Sequence, residues 1–137
     1  MTTLTEANEA LAQRFIDTWT PTGHAYTLEN EDFTAPDNAP WARFSSRINA
    51  STQETLGQAA NRKFERSGSC FVQIYVREKT GTKVSKQLAQ TVVDGFEGAR
   101  IVGTTVRFTD AIPRETGPDG KWYQTVVEIN FVFDETK

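Results

Sequence analysis

The chain has 137 residues, 37% of them hydrophobic and 24% charged, with a net charge of −3. That length fits one domain, residues 1–137, with one core, and so mild a negative charge speaks against a protein coated in basic residues for nucleic acid. The single cysteine, Cys70, excludes an internal disulfide and fits a reducing cytoplasm.

The opening MTTLTEANEALAQ reads as too polar for a signal peptide, and no apolar run approaches the ~20 residues that span a bilayer. Leu4, Ala7, Leu11, Phe15 and Trp19 recur at spacings of three and four, which predicts an amphipathic helix over 4–19. Thr3 and Glu6 have the form of a capping box, and Pro21 and Gly23 stop the helix. Residues 20–40 read as a polar, acidic loop that Tyr26, Leu28 and Phe33 either pin down or turn into a short edge strand. Glu29, Glu31 and Asp32 lack the regular spacing and the glycine of a calcium loop, so a solvated acidic loop is expected there.

Trp41 to Asn49 alternates as a strand, with Arg43 and Arg47 on one face, where they suit solvent or a partner. Residues 50–66 form a polar arm, read either as a strand around Thr55 or as a flexible segment that orders against a neighbour. A strand follows over Gly68–Arg77, with Cys70 on its apolar face. After a break at 79–82 comes a second helix over 83–96, with Thr82 as a plausible cap. Val84, Leu88, Val92 and Phe96, flanked by Ala89 and Val93, form its apolar arc, and Gly95 and Gly98 mark its end. Ala99 to Phe108 reads as a strand and Asp110 to Gly120 as a Pro/Gly-rich turn. Lys121 to Asp134 is the longest strand signal, with Tyr123, Val127, Ile129, Phe131 and Phe133 on one parity. The expected class is α+β: a single, mainly antiparallel sheet with two helices packed on one face.

Catalytic chemistry is hard to assemble from these residues. His24 is the only histidine, and with Cys70 it makes too few nitrogen and sulfur ligands for a zinc site. A Cys–His nucleophile pair is disfavoured, because an apolar strand face raises the cost of a thiolate. No phosphate loop and no nucleophile elbow is present, and Glu128 has no paired carboxylate in sight. Neither catalysis nor a metal or cofactor is expected. The strongest polar cluster, Arg62-Lys63-Phe64-Glu65-Arg66, admits three readings: a grip on phosphate or a stacked base, pairing with acidic loops of a neighbour, or a solvated turn.

Several pieces in order carry a resemblance. They are Pro40-Trp41-Ala42-Arg43-Phe44, Leu56-Gly57, Arg62 to Gly68 (RKFERSG), and FVQIYV at Phe71 to Val76. Gly81, Phe96-Glu97-Gly98 and Gly117 to Phe133 (GPDGKWYQTVVEINFVF) complete the set. Over residues 33–134 the chain resembles the tail terminator, or tail-completion, proteins of long-tailed bacteriophages. The resemblance implies a structural protein, not an enzyme. It would sit in the virion at the head–tail junction, after assembly in the host cytoplasm. It would form a homo-oligomeric, hexameric ring that caps the major tail tube protein and meets a head-completion or connector protein. DNA would pass through the ring without sequence-specific binding. Other readings are a different head–tail connector, a tail-tube component, or a small nucleic-acid-binding module. The family brings no catalytic residues. The candidate subunit or tube contacts are the acidic Glu29, Glu31 and Asp32 and the basic Arg43, Arg47, Arg62, Lys63 and Arg66.

Overall fold

Helices form where the apolar spacing requires them: α1 spans Leu4–Trp19 and α2 spans Lys83–Phe96 in the computed structural model, which describes residues 2–29, 31–77, 79 and 81–137. Thr3 caps α1 by accepting a hydrogen bond from the Glu6 amide at 3.1 Å. Ala7, Leu11, Phe15 and Trp19 are fully buried, whereas Leu4, one turn short of the sheet, stays exposed. In α2 the buried face is Ser85, Leu88, Ala89, Val92 and Phe96. The arc is therefore rotated from the expected one. Val84 is exposed, and Ser85 takes the inner position by donating its hydroxyl to Thr82 O at 2.9 Å. Thr82 makes no side-chain cap, and Thr80 of the expected break lies outside the described residues.

Five strands build one sheet in the order β1-β2-β3-β5-β4: β1 (Ala25–Leu28), β2 (Trp41–Gln53), β3 (Lys63–Arg77), β4 (Arg107–Asp119) and β5 (Trp122–Thr136). Only β1 and β2 are parallel; the other three pairs are antiparallel. Alternation gives the sheet two unlike faces. Ala42, Phe44, Cys70, Val72, Ile74, Val127, Ile129, Phe131 and Phe133 point to the helices and make the core with them. Phe15 of α1 stacks on Phe44 at 5.0 Å, and Phe96 of α2 meets Phe108 edge-on at 5.0 Å.

The helices also lock to each other. A Cβ on Gly95 would come within 2.5 Å of the Thr18 side chain, so glycine allows the close crossing. Arg14 then donates from Nε and Nη2 to Gly95 O at 2.9 and 2.6 Å, which satisfies a carbonyl near the end of α2. Gly95 is thus a packing residue inside the helix, not its stop signal.

The region after α2 differs from the expected strand over Ala99–Phe108. The chain doubles back through a turn, with the Phe108 amide bonded to Ala99 O at 2.9 Å and Arg100 bridged to Arg107. Gly103 has φ +86°, and the Thr104 hydroxyl donates to Ile101 O at 2.9 Å and accepts from the Val106 amide at 3.1 Å. Local turn chemistry there outweighs β-branched composition. Conversely, the expected turn over 110–120 is mostly strand. Pro113 and Pro118 are tolerated because β4 is an edge, and two register shifts, at Phe108/Asp110 and Glu115/Gly117, absorb the irregularity.

Candidate interaction surfaces

Neither residue with nucleophilic or metal chemistry is placed to use it. Cys70 is fully buried, and burial pushes its thiol well above the ordinary value, with Glu29 adding a smaller push. His24 precedes Ala25, which pairs with Trp41 and through it with Tyr75, five residues along β3 from Cys70. That is roughly 17 Å of strand, so the two do not meet. Among the described residues no group of three His, Cys, Asp or Glu could hold a metal.

The charged candidates divide by where the chain places them. Arg43 and Arg47 are exposed on the sheet face away from the helices. Their guanidiniums lie over Trp41 at 5.6 Å and Phe71 at 5.1 Å. Arg62 sits at the end of the exposed loop 54–62, donating from Nε to Gly57 O at 3.1 Å, and its backbone pairs with Lys137. Lys63 begins β3 and stands 3.7 Å from Asp134. Arg66 is not exposed. Its Nη2 is 3.0 Å from Glu135 with both side chains only about a tenth exposed, and its Nη1 donates to Ser51 at 2.7 Å. On the acidic side, the Glu29 carboxylate accepts from the Ser46 amide at 3.2 Å and Glu31 from the Leu28 amide at 3.0 Å. Both stay exposed, as does Asp32. Glu29 thereby blunts the edge of β2 just past the end of β1. The expected arm is also more regular than the sequence suggests. β2 reaches Gln53 and β3 starts at Lys63, leaving 54–62 as the projecting part.

Three features had no clear sequence signal. The first is a polar ladder across the open face: Asn49 donates to Ser69, Ser69 to Asn130, and Asn130 to Asp110, at 3.0, 2.9 and 3.1 Å. The four residues belong to four strands, so only the register reveals them. The second is a small aromatic cluster on the same face, Trp41 stacked on Tyr75 at 4.2 Å and edge-on to Trp122 at 6.1 Å, covered by Phe33 and Ala35 of the segment before β2. The third is a pair of almost fully solvated apolar side chains, Leu56 at 95% and Val102 at 98% exposure. Leu56 stands at the end of the sheet where β3 begins and β5 ends, and Val102 lies across a shallow concavity from Gln13 and Asp17 of α1.

One further concavity, of about 380 Å³, runs between α2 and β4. Lys86, Ala89, Gln90 and Val93 line its helix side and Pro113 and Glu115 its strand side, with Thr125 also lining it. Lys86 and Glu115 approach to 4.0 Å, and the Tyr123 hydroxyl donates to Glu115 at 3.2 Å. Desolvation first, then that bond and the Glu115 charge, raise the Tyr123 phenol above its usual value.

The sequence model of a family described as phage tail terminator protein matches residues 6–131. A solved structure with 16% sequence identity shares the fold at a TM-score of 0.60, with 93% of this chain and 94% of that one covered. No curated protein matches.

Proposed function

This chain belongs to the phage tail terminator family, and on that premise we propose that it caps the tail tube as a closed ring and forms the surface to which the head joins. Its general role is that of a structural component of the phage tail, in association with other tail and head-completion proteins. The family match over 126 residues is the observation that carries the finer reading (residues 6 to 131 inclusive). The surfaces support it. A head-to-tail contact uses two different patches per subunit, and repeating it gives either a ring or an endless helix. A protein that ends a polymer takes the closed option, and six subunits match a six-fold tube. The unlike patches are the acidic Glu29, Glu31 and Asp32 beside the edge of β2 and the basic Arg62 and Lys63 at the far end of β2 and β3. DNA passes through such a ring without sequence-specific contacts.

Exposed ion pairs each contribute about 0.2–1 kcal/mol and are screened by salt. The isolated ring is therefore expected to be weak, concentration-dependent and salt-sensitive, and firm only on the tube. The test is infection with a phage lacking this gene. Tails of uncontrolled length, unattached to heads and corrected by the added protein, are expected. Normal-length tails joined to heads in its absence would overturn the proposal.

A further inference from the structure

We infer that the loop 54–62 of one subunit inserts Leu56 into the groove between α2 and β4 of the next copy. The inference rests on the ring reading above and names the contact that closes it. Leu56 is 95% exposed on a loop that projects past the paired ends of β2 and β3. A large aliphatic side chain so placed has no partner in its own fold, and its burial elsewhere is favourable.

The groove has the complementary character. Its walls are Ala89, Val93, Pro113 and the stem of Lys86, and its volume of about 380 Å³ lies within the roughly 300–1,000 Å³ of clefts that take ligands. Thr125, which also lines it, is buried, and its Oγ1 has no hydrogen-bond partner among the described residues. The rims match in charge as well. Glu54 and Arg62 flank Leu56 in its loop, and Lys86 and Glu115 flank the groove, so each acidic group of one patch can meet a basic group of the other.

Geometry excludes the chain's own loop as occupant. Lys63, where the loop ends, pairs with Thr136 on β5, and Thr125 is eleven residues back along that strand, roughly 36 Å away. The loop and the groove thus lie far apart on one subunit, which is the arrangement a head-to-tail contact needs. A knob and a groove on the same surface would give a two-fold pair instead.

Cross-linking with a short bis-maleimide tests this in the full chain. Leu56→Cys and Gln90→Cys both change exposed residues, and the buried Cys70 does not compete. The double variant is expected to yield a ladder of covalent oligomers ending at the closed ring. Each single variant alone should stay uncoupled, and a mixture of the two should give dimers only. Leu56→Asp should lower assembly by tenfold or more at an unchanged melting temperature. If the wild type assembles but the double variant gives no ladder, or if Leu56→Cys couples to itself, this contact is wrong and the ring reading stands. A wild type that remains monomeric even with tail tubes present, and a double variant that remains uncoupled there, would overturn both.

Discussion

Arg62 and Arg66 are four positions apart, yet only the Arg66 side chain is in an ion pair that is largely buried, whereas that of Arg62 bonds one carbonyl within its own loop. Arg66 bridges Glu135 and Ser51 across three strands with little exposure. Removing it leaves Glu135 partly buried without its counter-charge, so Arg66→Ala should cost about 1–3 kcal/mol in urea unfolding. Arg62, in the projecting loop, should cost within about 0.5 kcal/mol. Equal effects at the two sites would contradict this division. Cys70 gives a second prediction at this scale. Its thiol is raised by burial, so the folded chain keeps the proton at pH values where an unfolded chain, near the ordinary thiol value of 9.0, gives it up. The linked stability is present below that value and is lost as pH rises above it. A thiol reagent at pH 8 should label Cys70 only at the rate of unfolding, and rapid labelling of the native chain would refute its placement. Gly68 is a third case. A Cβ there would collide with the Arg47 carbonyl and stand 2.8 Å from Phe131 Cζ. Gly68→Ala should therefore lower the melting temperature much more than Gly95→Ala, where only the Thr18 side chain must move.

Long, strongly periodic elements were legible in the sequence and irregular ones were not. The stripe from Ala7 to Trp19, the alternation around Cys70 and that of β5 each mark one buried face, and the fold uses all three. β4 was hidden because Pro113, Gly117 and Pro118 read as turn residues, and only its place at the sheet edge makes them compatible with a strand. The segment 99–108 misled in the other direction, since its valines and isoleucine suit a strand while Gly103 and Thr104 close a turn. The candidate surfaces were legible only as charges. The sequence shows Arg66 and Lys63, but not that Glu135 and Asp134 stand beside them, because the partners are about seventy positions away. The groove between α2 and β4 depends on a strand that was not foreseen. The arm is where element and assembly meet. Amide exchange over 55–60 should be fast in a dilute monomer and at least tenfold slower after assembly, because the loop's own amide bonds are made at Glu54, Asn61 and Arg62 and its tip needs a neighbour to offset its ordering. Full protection in a verified monomer would contradict that.

At the scale of the whole molecule the two sheet faces divide the labour. Helices seal one face and build the core. The other keeps a hydrogen-bonded polar ladder, two exposed arginines and an aromatic cluster under its own cover. The end of the sheet where β3 begins carries the apolar tip at Leu56. Surfaces of such different character suit a part that touches several neighbours at once. With the proposed charge patches in the subunit contact, sedimentation in low salt should show larger species than in 1 M salt, where the screening length falls to about 3 Å. Salt-independent monomer across all concentrations would count against self-assembly. The most direct measurement is image averaging of completed tails with this chain tagged. A single six-fold ring of the tagged chain is expected at the head-proximal end of the tube. Tag density elsewhere on the tail, or an end ring without six-fold symmetry, would contradict it.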